Sequence, residues 1–226
     1  MPSRWLLYYI TGRRSFAGDA MSQRRCLLKK IEEAARAEVD YIQLRERDLP
    51  SRELEVLACE AMQIISHART ENPRIRTALL VNSRTDVALA AGTDGVHLRS
   101  DDVSPQAVRE IWNQYDAGVL SGEGRLSPPV IGVSLHSVSD VERAEASGAT
   151  FAVFGPVFEK KDAPTAQPTG LVALRNACRT TIPVLALGGV TLENAASCLE
   201  AGAAGIAGVR LFQDNEIAAV VKQLRG

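Results

Sequence analysis

The chain has 226 residues, of which 46% are hydrophobic and 23% are charged, so it holds enough apolar residues for one full core. Its 26 basic and 27 acidic residues give a formal net charge of −1. That balance favours neither a nucleic acid nor an anionic membrane as a partner. The apolar run at residues 5–10 is too short for a signal peptide core or a membrane span.

Short apolar runs alternate along the chain with segments whose apolar residues have helical spacing. Predicted strands occupy residues 5–10, 41–44, 77–81, 95–98, 130–134, 151–154, 183–187 and 205–208. Predicted helices occupy residues 23–37, 51–67, 86–91, 105–115, 138–147, 170–178, 191–200 and 215–224. Ser51, Ser104 and Thr191 are the predicted helix caps. Residues 116–129 are rich in Gly, Ser and Pro, which predicts a surface loop.

The predicted strands are continuous apolar runs rather than alternating ones, which is typical of parallel strands buried on both faces. Eight strand–helix units in a chain of this length predict an α/β fold, a single (β/α)8 TIM barrel that spans residues 1–226 as one domain. An open doubly wound sheet has the same succession of elements, but the count of eight favours the barrel. The loops after the carboxyl ends of the strands are then the place to look for a site.

The four cysteines are widely spaced and form no metal-type or redox-type pair. We expect them to be buried thiols in a reducing compartment, and therefore expect a cytoplasmic protein.

Glycine turns follow the last two predicted strands. Gly188 and Gly189 come after the seventh strand, and Gly208, Val209 and Arg210 end the eighth. Glycine backbone that runs into a helix start offers N–H groups and the positive end of a helix dipole to an anion. A phosphate site is therefore predicted here, with a tight turn that binds nothing as the alternative.

Polar side chains also follow the other strands. Gln43 and Arg45 share the barrel-facing side, where Arg45 needs either an anionic ligand or a carboxylate from a neighbouring strand. Asn82 suits the edge of a heterocycle or the cap of the next helix. Ser134 lies at a strand tip, and His136 after it is a candidate general acid and base or a capping histidine.

Two further features of this end of the barrel have open interpretations. Asp101 and Asp102 suit a Mg²⁺ site or an ordinary solvated turn. The long segment at 159–168, with its prolines and charges, suits a mobile lid or a tolerated insertion.

Taken in order and spacing, these strand-end motifs resemble the thiamine phosphate synthase and thiazole tautomerase superfamily of barrels over nearly the whole chain. The matching segments are Gln43-Leu-Arg-Glu-Arg47, Val81-Asn82-x-Arg84-x-Asp86, Asp94-Gly-Val-His97, Gly132-Val-Ser-Leu-His136-Ser137, Phe154-Gly155-x-Val157-Phe158-Glu159, Pro183-Val-x-Ala-x-Gly-Gly189 and Ala201-Gly-Ala-x-Gly205. The resemblance implies a phosphorylated methylthiazole as ligand, with or without an aminopyrimidine.

The resemblance also distinguishes two branches. The synthase branch implies an aspartate directly after the strand 3 asparagine, which binds Mg²⁺ together with an aspartate that Asp102 matches. This chain has Ser83 at the first position, and Lys160 and Lys161 lie where a threonine-rich pyrophosphate loop is implied. The marks of the tautomerase branch are present in Arg45-Glu46-Arg47, in His136-Ser137 and in Phe154–Glu159. Pro156 and Arg210 depart from that branch.

We therefore expect a thiazole tautomerase that needs no cofactor, in which His136 moves the proton. Gln43, Arg45, Asn82 and Ser134 would bind the ring, and the glycine turns would bind the phosphate. The alternative is a thiamine phosphate synthase that uses Mg²⁺ held by Asp102, with Arg99, Lys160 and Lys161 as added cations. A second alternative is a non-catalytic protein that binds thiamine phosphate. A homodimer is a further expectation from the resemblance.

Overall fold

Eight parallel strands close into a barrel in the computed structural model, which describes residues 4–119, 127–159 and 167–226. The strands are β1 (Leu6–Ile10), β2 (Tyr41–Leu44), β3 (Ala78–Asn82), β4 (Gly95–Leu98), β5 (Val130–Leu135), β6 (Phe151–Phe154), β7 (Val184–Ala186) and β8 (Gly205–Gly208). Each pairs with its neighbour in chain order, and β8 pairs with β1. The predicted (β/α)8 barrel is confirmed. The assignment of residues 1–226 to one domain stays a prediction.

Helices alternate with these strands around the outside. They are α1 (Ala20–Arg36), α2 (Ser51–Glu71), α3 (Thr85–Ala90), α4 (Pro105–Val119), α5 (Val138–Ala146), α6 (Gly170–Ala177), α7 (Ala195–Glu200), α8 (Arg210–Gln213) and α9 (Ile217–Arg225). A short 3-10 helix, Arg13–Ser15, follows β1. Among the described residues, no helix combines the length and the apolar character needed to cross a membrane.

Several predicted boundaries are wrong for identifiable reasons. Ser51 is not a cap, because the Pro50 carbonyl accepts the first helical hydrogen bond of α2, from the Leu54 N–H at 3.0 Å. Thr191 does not cap α7 either, because that helix begins at Ala195 with Asn194 as its N-cap, and the Asn194 side chain accepts the Thr191 N–H at 2.8 Å.

For the helix after β4, the predicted start is confirmed and the predicted end is wrong. The Ser104 hydroxyl accepts the Ala107 N–H at 3.2 Å, so the predicted cap is confirmed. The helix itself runs on to Val119, so residues 116–119 are helical rather than part of the predicted loop. Most of the remainder of that loop, residues 120–126, lies outside the described residues.

Two apolar regions stabilise the barrel. A small interior cluster fills the barrel itself and includes Tyr8, Leu80, Phe151 and Leu185. A much larger cluster lies between the strands and the helices, where apolar side chains of both layers interlock. Because both faces of every strand are covered, the continuous apolar runs of the sequence are explained. Of the four cysteines only Cys198 is buried, and Cys26 is exposed, so the expectation of four buried thiols is wrong.

The amino-terminal end of the barrel is held by a repeated contact. A residue just before each even-numbered strand donates its N–H to a carbonyl near the start of the preceding strand. The pairs are Asp40 to Leu7 at 3.1 Å, Asp94 to Leu79 at 3.0 Å, Thr150 to Ile131 at 2.8 Å and Ala204 to Val184 at 2.8 Å. In the first three pairs the side chain also accepts the partner's N–H, at 2.7, 2.8 and 3.0 Å. This end is therefore built for stability, which leaves the opposite mouth for chemistry.

We predict that Asp94→Ala lowers the free energy of unfolding by about 1–3 kcal/mol, because it leaves the buried N–H of Leu79 without its acceptor. The Asp94 carboxylate also accepts from Arg69 at 2.8 Å. Urea unfolding measures the change. The control is Asp101→Ala, which removes an exposed ion pair with Arg99 and should cost at most about 0.5 kcal/mol. Equal losses in the two variants would contradict the stabilising role of the side-chain cap.

Candidate active site

A chain of hydrogen bonds crosses the ends of β2, β3 and β4 at the carboxyl-terminal mouth of the barrel. The Gln43 amide donates to the Asn82 carbonyl oxygen at 2.8 Å, and the Asn82 amide donates to the Ser83 hydroxyl at 3.1 Å. The Ser83 hydroxyl in turn donates to Asp102 Oδ2 at 2.6 Å. Gln43 and Asn82 thus lie side by side at the mouth.

Ser83 holds its place in this chain through an unusual backbone conformation. Its φ angle is +58°, in the left-handed region that residues with a Cβ seldom adopt. The Ser83 N–H donates to the His97 carbonyl at 2.8 Å, which ties the turn to β4. Backbone strain of this kind costs on the order of 1–3 kcal/mol and is concentrated at functional sites. The turn directs the hydroxyl towards Asp102 rather than towards solvent.

The Asp102 carboxylate is ionised, and its Oδ2 atom accepts more hydrogen bonds than its Oδ1 atom. Burial raises the pKa of Asp102, but the Arg99 N–H, the Ser83 hydroxyl and the Arg99 guanidinium lower it, and the net pKa is below its ordinary value. Oδ2 accepts from Ser83 and, at 2.7 Å, from the Arg99 N–H. Among the residues that the structure describes, the one hydrogen-bond donor to Oδ1 is the Arg99 guanidinium, at 3.4 Å. Oδ1 is therefore the oxygen that retains room for a further ligand.

Arg45 brings an uncompensated cation to the same mouth. Its backbone N–H donates to the Thr11 hydroxyl at 2.9 Å. The half-buried guanidinium makes no hydrogen bond or ion pair with any residue that the structure describes. Burial, and then the positive charge of Arg47, lower the pKa of Arg45, yet an arginine stays charged in a protein. Of the two partners expected for Arg45, a carboxylate from a neighbouring strand is not seen among the described residues, and the anionic ligand stays a prediction.

Glu46 has a structural role that the sequence pattern did not indicate. This buried carboxylate accepts from the Thr11 hydroxyl at 2.7 Å and from the Arg13 guanidinium at 3.0 Å. Arg13 also binds Asp48 through two hydrogen bonds of 2.7 Å. The network joins the loops after β1 and β2 and fixes the backbone that carries Arg45. The available signal was an acidic residue directly after a buried strand, since a buried carboxylate needs a cation or donors.

The side chains of Ser134 and His136 contact different parts of the barrel, although the two residues are close in sequence. Ser134 Oγ lies 2.7 Å from the Nε2 atom of His97, inside the barrel wall. His136 is exposed, and its Nδ1 lies 2.5 Å from the Gly155 carbonyl oxygen. Because a carbonyl can only accept, Nδ1 carries the proton, and Nε2 of a neutral His136 presents a lone pair.

The turn after β7 has the conformation that its glycines suggest. Gly188 and Gly189 have φ angles of +95° and +65°. A Cβ on Gly189 would lie 2.4 Å from the Glu159 carbonyl oxygen, so the loop after β6 leaves no room for a side chain. On the next strand, Val209 directly precedes α8, which begins at Arg210. The two turns are adjacent, because β7 pairs with β8.

The family description "Thiamine monophosphate synthase" matches residues 7–212. This chain belongs to the thiamine monophosphate synthase family. It is 35% identical over 207 residues to "Putative thiamine-phosphate synthase 2" of Aquifex aeolicus, covering 91% of this chain and 96% of the relative. It is 36% identical to the thiamine-phosphate synthase of Roseiflexus sp., over 89% of this chain and 75% of the relative.

A solved structure agrees with this assignment. Thiamine phosphate pyrophosphorylase from Pyrococcus furiosus superposes with a TM-score of 0.75 at 27% identity, covering 99% of this chain and 95% of that one. The resemblance inferred from the strand-end motifs is thereby confirmed at the level of the family. The tautomerase branch is not singled out by these relatives, whose names refer to the synthase.

The family raises the question of whether the mouth fits Mg²⁺. Within the described residues, no group of three or more His, Cys, Asp or Glu side chains could enclose a metal ion. Asp102 offers a carboxylate oxygen, Oδ1, with spare capacity. Mg²⁺ commonly takes one or two carboxylates and completes its shell with water and substrate phosphates. The donor set therefore fits a shared metal that a pyrophosphate brings with it, and does not fit a closed protein cage.

The structure brings some of the predicted site residues together and separates others. Gln43, Asn82 and Asp102 belong to one hydrogen-bonded chain, and Ser134 adjoins it through His97. His136 makes no hydrogen bond to another predicted site residue in the described chain. Lys160, Lys161 and most of the proposed lid lie outside the described residues. The roles assigned to all these residues stay predictions.

We predict that Ser83→Ala raises the pKa of Asp102 towards its ordinary value, because the ionised carboxylate loses a hydrogen-bond donor. A titration of the Asp102 carboxyl carbon by NMR measures the shift. The stability of the fold should change with it. Because the pKa of Asp102 is lower in the folded state, its contribution to stability is fully present at pH values above the unfolded pKa of about 3.9 and is lost as the pH falls below it. This acid-sensitive contribution should be smaller in the variant. Ser100→Ala, at an exposed neighbour, is the control and should leave the Asp102 titration unchanged.

Proposed function

We propose that the chain is a thiamine phosphate synthase, which joins an aminopyrimidine pyrophosphate to a thiazole phosphate and releases pyrophosphate. The observation that carries this proposal is the half-buried guanidinium of Arg45, which has no anionic partner among the described residues. A half-buried guanidinium without an ion-pair partner favours the binding of an anion. The names of the relatives support the same reaction.

The mouth offers two separate positions for anions, as two phosphorylated substrates require. One is the pair of glycine turns, Gly188–Gly189 and Gly208–Arg210, which we assign to the thiazole phosphate. The other is Arg45, which we assign to the leaving pyrophosphate. A phosphate held on one side and a pyrophosphate on the other would align the thiazole nitrogen with the carbon it attacks.

The residues between these positions suit the aminopyrimidine. Gln43 and Asn82 keep unused donor and acceptor capacity beyond the bond that joins them. Two linked amides can match the donor and acceptor pattern of an aminopyrimidine edge. Their mutual bond would hold both side chains in place before the substrate arrives.

Departure of pyrophosphate builds negative charge that must be neutralised. Asp102 would hold Mg²⁺ on the pyrophosphate side, where the metal supplies that neutralisation when it is bound. Arg45 stabilises the same charge directly. Arg99, which lies next to Asp102, keeps this carboxylate ionised at neutral pH.

A tautomerase is the second candidate, and a specific observation favours it. His136 donates from Nδ1 to the Gly155 carbonyl, so its Nε2 lone pair is available at the rim of the mouth. A neutral imidazole in this arrangement can take a proton from a ring carbon and return it elsewhere on the conjugated system. In that reaction Arg45 would bind the carboxylate of the non-aromatic thiazole.

The first test compares two neighbouring arginines. We expect wild-type protein to form thiamine phosphate from both substrates in the presence of Mg²⁺, and chelation to suppress the reaction. Arg45→Ala should reduce the rate by about 100-fold, because a charge-stabilising group is lost. Arg47→Ala removes an exposed arginine from the same loop and should stay within about twofold of wild type, since a screened surface charge contributes little. Equal losses in both variants would contradict the role of Arg45.

The second test separates the candidates. If the chain is a tautomerase, it should aromatise the carboxythiazole phosphate without Mg²⁺, and His136→Asn should reduce that rate by about 100-fold or more. His67→Asn, at an exposed histidine of α2, is the matched control. A synthase should show no such turnover. Tight binding of thiamine phosphate with no turnover in either assay would identify the non-catalytic alternative instead.

A further inference from the structure

His97 is a buried histidine to which the proposed reaction assigns no role. It lies in β4, fully enclosed by the barrel interior. Its Nε2 atom is 2.7 Å from the Ser134 hydroxyl on the adjacent strand β5. Its Nδ1 atom has no hydrogen-bond partner within the described residues.

The side chains and backbone around His97 pack closely against its ring. The Tyr8 ring packs against it with centroids 5.5 Å apart. Gly132 faces the other nitrogen so closely that a Cβ there would lie 2.8 Å from Nδ1 and 2.6 Å from the Phe151 ring. The absence of a side chain at Gly132 is what makes room for the imidazole. The ring is therefore closely packed, with its Nε2 atom directed at Ser134.

The ring is also neutral. Burial, and then the positive charge of Arg45, lower the pKa of His97, the negative charge of Asp102 raises it, and the net pKa is about 3. These two are the charged groups that act on the ring, and Tyr8 is its titratable aromatic neighbour. Burial likewise raises the pKa of Tyr8 well above its ordinary value, so that side chain stays neutral.

A neutral imidazole carries a proton on one of its two nitrogens. Which nitrogen carries it decides whether the Ser134 hydroxyl donates to His97 or accepts from it. If Nδ1 carried the proton, a buried N–H would be left without an acceptor, and orphaned buried N–H groups are rarer than orphaned acceptors. If Nε2 carries the proton, it donates to Ser134 Oγ and leaves only a lone pair unused at Nδ1. The second arrangement is the one that the enclosure favours.

We propose that His97 is a positioning residue: it donates its Nε2–H to Ser134 and so leaves the hydroxyl hydrogen of Ser134 free to donate into the barrel mouth. Ser134 then donates this hydrogen to an acceptor atom of the substrate, such as a ring nitrogen or a phosphate oxygen. The part that concerns substrate rests on the proposed function, since it places the ligand beside Ser134.

The tautomer is tested first, in the free protein. The chain has three histidines, so ¹⁵N-histidine labelling and long-range ¹H–¹⁵N correlation resolve each ring, with His67→Gln and His136→Asn used for assignment. We expect one ring, that of His97, to show the neutral Nε2–H pattern and no titration between about pH 8 and pH 5, where an ordinary histidine titrates. An Nδ1–H pattern, or a titration in that interval, would overturn the proposal.

The link to the substrate is tested by a double-mutant cycle on thiamine phosphate binding, measured by calorimetry. Ser134→Ala and His97→Phe should each weaken binding by about fivefold to tenfold, the value of one hydrogen bond. In the Ser134→Ala background, His97→Phe should have less than about a twofold further effect, since both act through one hydroxyl. His97→Gln, which keeps an N–H donor, should recover most of the affinity.

The outcomes separate this inference from the proposed function. If His97→Phe fails to fold, His97→Gln and the tautomer measurement still decide the question. Additive losses in the double variant, or unchanged binding in Ser134→Ala, would overturn the positioning role. Absence of thiamine phosphate turnover in wild-type protein would instead count against the proposed function, and it would leave the tautomer of His97 unaffected.

Discussion

Closure of eight parallel strands is the constraint on which the rest of the structure depends. It places the carboxyl end of every strand at one mouth, so side chains as distant in sequence as Gln43 and Asp102 belong to one hydrogen-bonded chain. It also leaves the opposite end free for stability, where Asp40, Asp94 and Thr150 cap strand N–H groups. Stability and chemistry are thus separated along the barrel axis.

The mouth is organised by charges that are only partly satisfied. Arg13 forms ion pairs with both Glu46 and Asp48, and these pairs join the loops after β1 and β2. Arg45, carried on the same backbone, is left without such a partner within the described residues. The Oδ1 atom of Asp102 has room for a further ligand. A cation and an anion held apart in this way suit a substrate that brings both phosphate oxygens and a metal.

Much of this arrangement was predictable from the sequence, and the exceptions have physical causes. The succession of eight strand–helix units predicts the barrel, and it places Gln43 and Asn82 after strands at the same end of it. The left-handed turn at Ser83 is not predictable in the same way, because nothing in the local pattern requires a positive φ there. The contact of His97 with Ser134 depends on strand register, and α8 is too short to produce a helical period. The preference for a tautomerase rests on Ser83, on His136 and on short motifs such as Arg45-Glu46-Arg47 and Phe154–Glu159, whereas the named relatives favour the synthase.

The central claim is that one mouth holds the thiazole phosphate at the glycine turns and the aminopyrimidine at Gln43 and Asn82. A crystal structure with thiamine phosphate tests it most directly. The account predicts the phosphate against the Gly188–Gly189 and Val209–Arg210 turns, and the pyrimidine within hydrogen-bond distance of the two amides. Thiamine phosphate bound outside the mouth, or bound there with its phosphate at Gln43 and Asn82, would contradict the account.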